Sequence, residues 1–412
     1  MPAPVVATVD EVATVNLADP ATHVERDLSG YWRRLRTSMP VHWHPESEFG
    51  RGFWVLSRYS DIISVYRDNE RFTSEEGNVL ATLLQGGDTA SGKMLAVTDG
   101  RRQRDLRGVM LKAFSPRVLA RLADKVNENT ERRVRGAVER GEFDFAAEVS
   151  EHIPISTICD LLGVPESDRA TLLRLNKSAL SSDDPGETFT DAWSARNEIL
   201  LYFAELAEER RREPKDDVVT VLATATVDDV RLSPQEIIFN CYSLILGGDE
   251  STRISMNCAV HAFTEFPEQW RALKRGDAGV KAAVEEVLRW STPAMHFGRT
   301  ARQDVTLYDR VIKKGDLVTL WNSSANRDEE IFADPYVFDV GRSPNKHVTF
   351  GHGPHFCLGS YLARVELEAL LTALITFVDG VELAGPVGRV HSNFLSGISR
   401  LPVKTTPSRR TD

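Results

Sequence analysis

The chain has 412 residues, 42% of them hydrophobic and 27% charged, a composition typical of a globular protein with a large core. Its formal net charge of −10 argues against non-specific nucleic-acid binding as its main task. Four cysteines at irregular spacing exclude a disulfide framework and suit a reducing cytoplasm. The N-terminal segment has no basic flank and no long apolar run, so neither a signal peptide nor a membrane anchor is predicted.

The first clear helix begins at Ser115-Pro116, because serine followed by proline at the first helical position is a typical helix start. A second start is Ser233-Pro234-Gln235-Glu236, a capping box that predicts a helix running to Glu265. Such a helix has about 30 residues and a length of about 45 Å at 1.5 Å per residue. Its apolar middle predicts burial, and only Gly247-Gly248 disturbs it.

After Arg289, short strand-like runs follow at 304–308 and 317–321. A second long helix is predicted from Leu358 to Val378. The chain is therefore predicted to have a mostly α fold with small β-sheets, in a single domain covering residues 1–412. About 1–15 and 405–412 are expected to be flexible tails.

The strongest chemical signal is the run FGHGPHFCLG at residues 350–359. Its cysteine stands at the entrance of the second long helix, where unpaired N–H groups and partial positive charge favour a thiolate over a thiol. Glycines at 351, 353 and 359 allow the backbone to approach a large flat group. The alternative interpretation, a buried cysteine beside a turn, does not account for the whole pattern.

These ten residues resemble the haem-binding signature of the cytochrome P450 family, Phe-x-x-Gly-x-x-x-Cys-x-Gly. The resemblance implies a P450 fold, with haem b between the long central helix and the cysteine-ligand helix. It implies that Cys357 is the axial iron ligand and that Phe350, Gly351 and Gly359 belong to the haem-binding loop. It also assigns His355 to a haem propionate.

Further residues match propionate-binding positions of the same family. The run DGRRQRDLRG begins at Asp99 and aligns Arg107 with a propionate-binding arginine, but Gln103 stands where the family has histidine. A neutral amide can still donate a hydrogen bond, although it lacks the charge. Arg299 in FGRTA matches another arginine of this kind.

Glu286-x-x-Arg289 places an acid and a base three residues apart on one helix face, where they can pair. Apolar neighbours suggest that the pair is buried, and a buried pair needs further partners to offset its desolvation. The P450 resemblance supplies Arg342 as that partner. We expect these three residues to support the haem core structurally, without a catalytic role.

The run GGDEST is unusual in the middle of a long buried helix, since glycines and buried polar groups both destabilise an apolar helix. It resembles the P450 oxygen-activation motif, which implies that Gly248 leaves room for dioxygen. Glu250 is then the acid of a proton relay, and Ser251 takes the usual threonine position. Asp249 or Thr252 could share that role.

The substrate pocket is placed by family analogy alone. It is expected to be lined by the loop 74–94, the segment 174–188 and four apolar residues, Leu244, Ala294, Phe297 and Phe394. Such a lining predicts a small to medium hydrophobic or amphipathic substrate. His296 is expected to be an ordinary packing histidine.

The chain carries no flavin or nicotinamide fingerprint, so its electrons must come from another protein. The soluble bacterial type of P450 receives them from a ferredoxin served by a ferredoxin reductase. An acidic ferredoxin would dock on the cysteine side, at a basic patch of Arg101, Arg102, Arg104, Lys346 and Arg364. No nucleic-acid or membrane partner is expected.

Together these features predict a cytoplasmic haem-thiolate monooxygenase that inserts one oxygen atom from O2 into a small molecule of bacterial natural-product biosynthesis. The substrate is either free or tethered to a carrier protein, and the sequence leaves this open. Two other hypotheses are a peroxide-using or isomerising haem-thiolate enzyme and a non-enzymatic haem sensor or binding protein.

Overall fold

The computed structural model describes residues 4–180 and 189–408, and helices dominate this part of the chain, as predicted. The α-helices are α1 Val9–Ala13, α2 Pro20–Glu25, α3 Ser29–Ser38, α4 Tyr59–Arg67, α5 Leu80–Leu84, α6 Gly100–Ala113, α7 Pro116–Val138, α8 His152–Leu162, α9 Glu166–Leu180, α10 Phe189–Arg212, α11 Val218–Thr224, α12 Pro234–Glu265, α13 Pro267–Arg275, α14 Val280–Ser291, α15 Asn322–Ala325 and α16 Ser360–Phe377. A π-helical turn, Ala146–Ser150, precedes α8.

The strands are short and form small sheets. They are β1 Val41–His44, β2 Phe53–Leu56, β3 Phe72–Thr73, β4 Glu142–Asp144, β5 Thr226–Val227, β6 Val230–Arg231, β7 Phe297–Ala301, β8 Val305–Leu307, β9 Arg310–Ile312, β10 Leu317–Leu320, β11 Val378–Leu383, β12 Gly388–Arg389, β13 Ile398–Arg400 and β14 Pro402–Pro407. The largest sheet has the order β1-β2-β10-β7-β3, and only its β2–β10 pair is parallel.

Helix α12 is the central helix of the structure. It begins at the predicted capping box, in which the Ser233 hydroxyl accepts from the Glu236 amide and the Glu236 carboxylate accepts from the Ser233 amide. It runs for 32 residues and ends at Glu265, before Pro267. Because more than half of its side chains are buried, other helices must pack around it. It contacts α8, α10, α14 and α16.

Helix α16 begins at Ser360, two residues later than predicted, because the residues around Cys357 form the loop that precedes it. Its inner face packs into a core shared with α7, α12 and α14, which includes Leu367, Leu370 and Phe263. The cysteine loop is thereby placed beside the middle of the central helix.

Parts of both predicted tails belong to helices or strands. Residues 9–13 form α1, whose Thr8 capping box is complete, and Val12 and Val15 are buried against α3 and its neighbours. At the other end, Thr405 pairs with Val381 in the β11–β14 ladder. The flexibility of the tails stays a prediction, and residues 1–3 and 409–412 lie outside the described part. Among the described helices, none combines the length and the hydropathy that crossing a membrane requires.

Candidate active site

The loop around Cys357 is held by its own backbone and by α4. The Cys357 amide donates to the Phe350 carbonyl (3.0 Å), which closes the loop before α16 begins. Gly353 has a φ of +69°, and a β-carbon there would lie 2.6 Å from the Tyr66 carbonyl oxygen. Glycine is therefore required at 353, because both the conformation and the close approach exclude a side chain.

The Cys357 thiol faces an apolar environment. Burial raises its pKa, and the N–H groups of Gly359 and Ser360 together with the charges of Arg107 and Arg364 offset this only in part. The helix N-terminus alone therefore does not produce a thiolate, contrary to the expectation from the sequence. A positive charge bound directly at the sulfur would supply the missing stabilisation.

A cavity of about 400 Å³ opens above the thiol and reaches the middle of α12. The four predicted substrate residues Leu244, Ala294, Phe297 and Phe394 all line it. The loop 74–94 contributes Asn78, Val79 and Met94, whereas the described residues 174–180 of the second predicted segment do not reach it and 181–188 lie outside the described part. His296 is completely buried and packs on Trp321 (ring centroids 4.5 Å apart) instead of lining the cavity.

Three predicted cofactor ligands meet at one edge of this cavity. Arg299 is 3% exposed and forms no ion pair with any residue that the structure describes; its guanidinium lies over the Tyr66 ring, 5.5 Å from the centroid. His355 Nε2 donates to the Asp99 carboxylate (2.8 Å), which orients the imidazole. Arg107 lines the cavity and donates to the Phe356 carbonyl (2.7 Å). This edge can receive a carboxylate, since a buried cation requires a counter-charge.

Gln103 contacts the cysteine loop. Its side-chain amide donates to the Pro354 carbonyl (2.7 Å), and the residue does not line the cavity. Gln103 therefore supports the cysteine loop, and its predicted contact with a propionate stays a prediction.

The middle of α12 presents small and hydroxyl side chains to the cavity. Ser251 Oγ donates to the Gly247 carbonyl (3.2 Å). A β-carbon on Gly247 would meet nothing within 4 Å, whereas one on Gly248 would lie 2.9 Å from the Ile158 side chain. Both glycines line the cavity. The sequence predicted open space at Gly248, but the structure has more space at Gly247. Gly248 also allows α8 to pack closely against α12.

The predicted acid Glu250 faces away from the cavity. Its carboxylate pairs with Arg253, and the two side chains are 1% and 0% exposed. Neither residue lines the cavity. The i, i+3 spacing places both on one face of α12, opposite the face that carries Ser251.

Another acid does reach the cavity. Glu366 of α16 lines it together with Thr157 and Thr252; burial and the nearby Asp249 raise the pKa of Glu366 to about 8. Asp249 itself is buried and accepts from the Asn176 amide (2.6 Å), and burial with the neighbouring Glu250 raises its pKa to about 7. Glu366 is therefore a neutral carboxylic acid at pH 7.

The predicted structural triad is assembled behind the cavity. The Glu286 carboxylate accepts from Arg289 (2.7 and 2.8 Å), from Arg342 (3.1 and 3.2 Å), from Asn345 (3.0 Å) and from the Asp339 amide (2.9 Å). Glu286 and Arg289 are both 0% exposed. The network joins α14 to the segment that leads into the cysteine loop.

Comparisons with known proteins agree with this arrangement. The family model for Cytochrome P450 matches residues 280–377, which contain both the Glu286 network and Cys357. Cytochrome P450 NovI from Streptomyces niveus is 44% identical over 396 residues, covering 96% of this chain and 97% of NovI. The Steroid C26-monooxygenase of Rhodococcus jostii (strain RHA1) is 34% identical, covering 94% of this chain and 84% of its own.

The chain belongs to the cytochrome P450 family. Solved structures confirm the fold: P450 OxyD, which is involved in the biosynthesis of vancomycin-type antibiotics, superposes with a TM-score of 0.86 at 34% identity and covers 96% of this chain and 100% of its own. CYP108D1 from Novosphingobium aromaticivorans also gives 0.86, at 31% identity, with 98% and 100% covered. This P450 is a haem b monooxygenase.

The residues present fit the haem. The thiol of Cys357 faces the cavity, the unpaired guanidinium of Arg299 lies at its edge, and Gly351 and Gly359 leave its floor without side chains. Cys357 would hold the iron, while Arg299, Arg107 and His355 would face the propionates. The iron, when bound, would supply the positive charge that favours ionisation of the Cys357 thiol.

Sequence reasoning missed Glu366 and Tyr66 as cavity residues. Glu366 stands between the apolar residues Val365 and Leu367, which was only a weak signal because the charged Arg364 and Glu368 lie two positions away. Tyr66 gave no signal of this kind, since its contact with Arg299 joins residues 233 positions apart. No local pattern encodes such a contact.

Removing the charge of Glu286 should strongly destabilise this P450. Glu286→Gln leaves two buried guanidinium groups without a counter-charge, which costs about 3–5 kcal/mol. The neighbouring Glu285→Gln is the matched control, because Glu285 is 30% exposed and its pair with Arg364 is worth at most about 1 kcal/mol. Urea unfolding of both variants measures the difference, and equal free energies of unfolding would contradict the structural role of the network.

Proposed function

We propose that this P450 inserts one oxygen atom from O2 into a hydrophobic or amphipathic small molecule of natural-product biosynthesis, by hydroxylation or epoxidation. We place it in the cytoplasm, with electrons supplied by a ferredoxin and its reductase. The observation that carries the proposal is that a thiol ligand, an apolar wall and protonatable groups all face one cavity. The likeness to OxyD supports the biosynthetic context.

Proton delivery follows from the side chains at the middle of α12. When bound, the haem supplies O2 activation, which consumes protons and releases one oxygen atom as water. Ser251 directs its own proton at the Gly247 carbonyl, so its oxygen is free to accept a hydrogen bond in the cavity. With a pKa of about 8, Glu366 carries a proton at pH 7, and it lines the same cavity as Thr252, so it can donate toward that space.

We infer that Glu366 supplies protons alongside, or in place of, the Glu250 predicted from the motif. Glu366 faces the cavity as a neutral acid, whereas Glu250 is held by Arg253 outside it. A proton donor must lie within hydrogen-bond reach of its acceptor or of one intervening water, which favours the residue that lines the cavity. Two hydroxyls, those of Ser251 and Thr252, then face the cavity. The Ser251 hydroxyl donates to the Gly247 carbonyl, and Glu366 lines the same cavity as Thr252.

Replacing Glu366 with glutamine should uncouple O2 consumption from product formation. Glutamine keeps the shape but cannot donate and regain a proton, so oxidation should slow by up to roughly 10²-fold while hydrogen peroxide accumulates. In the wild type the coupling should fall as pH rises through about 8, where Glu366 loses its proton. Peroxide yield and the decay of the oxygenated ferrous state, followed by stopped-flow absorbance against pH, measure this.

Glu250→Gln is the comparison variant for that experiment. If it removes the pH dependence while Glu366→Gln does not, the motif acid Glu250 is the donor and the inference about Glu366 fails. If O2-driven turnover survives in Glu250→Gln, Glu366→Gln and Ser251→Ala alike, a peroxide-using or isomerising enzyme is the better hypothesis. If reduction consumes O2 without any product, the sensor hypothesis is favoured.

The proposed ferredoxin surface differs in detail from the predicted basic patch. Arg101 pairs with Asp228 (2.8 Å), Arg102 pairs with Glu236 and Arg364 pairs with Glu285 (2.6 Å), so these charges are already balanced within the chain. Arg104 and Lys346 are exposed and form no ion pair with the described residues. They therefore remain available to an acidic partner.

Two exposed apolar side chains lie on α6 and the cysteine loop. Phe356 adjoins the ligand Cys357 and is 38% exposed, and Leu111 of α6 is 49% exposed. Arg107, one helical turn before Leu111, donates to the Phe356 carbonyl, so α6 and the cysteine loop are in contact. An apolar centre with a charged rim is typical of transient protein interfaces, which supports this face as the electron-entry side.

Arg104→Glu should slow electron transfer from a reduced acidic ferredoxin at low salt, and the defect should diminish as salt rises, because the interaction is screened. Arg310→Glu on the β8–β9 hairpin makes the same charge change elsewhere and should have little effect. Stopped-flow reduction under carbon monoxide measures both. Equal rates for Arg104→Glu and the wild type would exclude Arg104 from the docking surface.

An absorbance titration of the ferric protein should distinguish free from tethered substrates. A molecule that fills the cavity displaces iron-bound water and shifts the Soret band. We expect free apolar natural-product fragments to produce this shift, since the cavity wall is largely apolar. A shift produced only by acyl groups loaded on a carrier protein would instead establish a tethered substrate, with the carrier docked near α9.

A further inference from the structure

A continuous row of aromatic rings leads from the cavity wall toward the surface on the side of α3. Phe297 and Phe394 line the cavity with centroids 5.8 Å apart, and Phe394 meets His296 edge-on at 5.7 Å. His296 packs on Trp321 at 4.5 Å, and Trp321 packs on Trp32 at 4.8 Å.

The far end of this row has a small exposed fraction, at Trp32. Trp321 is 0% exposed, Trp32 is 8% exposed, and Tyr31, which is 4% exposed, stands edge-on to Trp32 at 4.9 Å. The rate of electron transfer falls steeply with distance, so rings in van der Waals contact exchange electrons rapidly. Tryptophan and tyrosine are also the side chains that lose an electron most readily, apart from thiols.

We propose that Trp321 and Trp32 form a route by which oxidising equivalents leave the haem cavity when no substrate accepts them. The aromatic row would thus protect the cysteine ligand and the haem from oxidation by the enzyme's own chemistry. This function goes beyond oxygenation, and it requires only that the haem is bound.

The surroundings of Trp321 favour a role as an electron relay. Its indole N–H donates to Thr319 Oγ1 (2.8 Å), and two imidazoles flank its ring, His296 and His23, the latter stacked at 5.7 Å. Burial lowers the pKa of both histidines, that of His296 to about 3. Both rings are therefore neutral at pH 7, and neither histidine places a positive charge beside Trp321 that would oppose the loss of an electron.

The proposed oxidation is balanced when hydrogen peroxide is the oxidant. One molecule of peroxide accepts two electrons and two protons at the haem and becomes two molecules of water. Hydroxylation of the Trp32 indole by water releases two electrons and two protons. The electrons pass one at a time through Trp321, and the net reaction converts peroxide and Trp32 into water and hydroxylated Trp32. An external thiol could instead return the electrons and leave Trp32 intact.

The test exposes the substrate-free ferric holoenzyme to hydrogen peroxide, without added thiol. Tandem mass spectrometry locates the oxidised residues, freeze-quench electron paramagnetic resonance detects indole radicals, and the Soret absorbance follows haem loss. We expect oxidation at Trp32 in the wild type. Trp321→Phe should lose the Trp32 product and bleach faster, because phenylalanine fills the space but does not give up an electron.

Trp270→Phe is the matched control. Trp270 is also buried and donates its indole N–H to one acceptor, the Asp379 carbonyl (3.0 Å), but the ring it packs on, Phe263, does not line the cavity. This variant should oxidise and bleach like the wild type. If Trp321→Phe does not fold, Trp32→Phe is the variant to test. In that variant the indole radical should stay on Trp321.

Two results would overturn the proposal. One is wild-type oxidation confined to cavity residues such as Met94 and Cys357. The other is that Trp321→Phe shows the same Trp32 oxidation and the same bleaching as the wild type. If only Trp32→Phe folds, the corresponding result is that no radical forms on Trp321. Either outcome would leave the aromatic row as core packing alone.

Discussion

The buried carboxylate of Glu286 is the interaction on which the rest of the site depends. A charge without solvent is tolerated only when donors surround it, and here two guanidinium groups, one side-chain amide and one backbone amide do so. Arg289 comes from the same helix, but Arg342 and Asn345 come from the segment before the cysteine loop. Satisfying one charge therefore fixes the loop against α14, and the thiol takes its place beside α12 as a consequence.

The protein treats its other buried acids in two ways. Glu250 is paired with Arg253 and so remains compatible with burial as an ion, away from the cavity. Asp249 and Glu366 form no ion pair with any residue in the described part of the chain, and burial raises their pKa values to about 7 and about 8. Pairing stabilises structure, whereas a raised pKa leaves a proton that can be moved. The difference distinguishes acids that support the fold from those suited to the chemistry.

Because of charge pairing, the basic surface is smaller than the sequence pattern suggests. Arginines that cluster around α6 suggest a broad basic face, yet Arg101 and Arg102 are balanced by Asp228 and Glu236. Arg104 and Lys346 are exposed and form no ion pair with the described residues. Another part of the cavity wall, at Phe297 and Phe394, continues into packed aromatic rings.

The sequence by itself determined the cysteine loop, the capped central helix and the Glu286–Arg289 pair, because each depends on residues a few positions apart. It also determined the cavity residues that the P450 resemblance carried over, including Arg299 and Phe394. Only the tertiary structure decided that Gln103 supports Pro354, 251 positions away, and that Glu366 faces the cavity while Glu250 does not. It likewise placed residues 9–13 in α1 and residues 402–407 in β14. The physical reason is that burial and long-range partners set the protonation and reach of a side chain, and neither is encoded in local spacing.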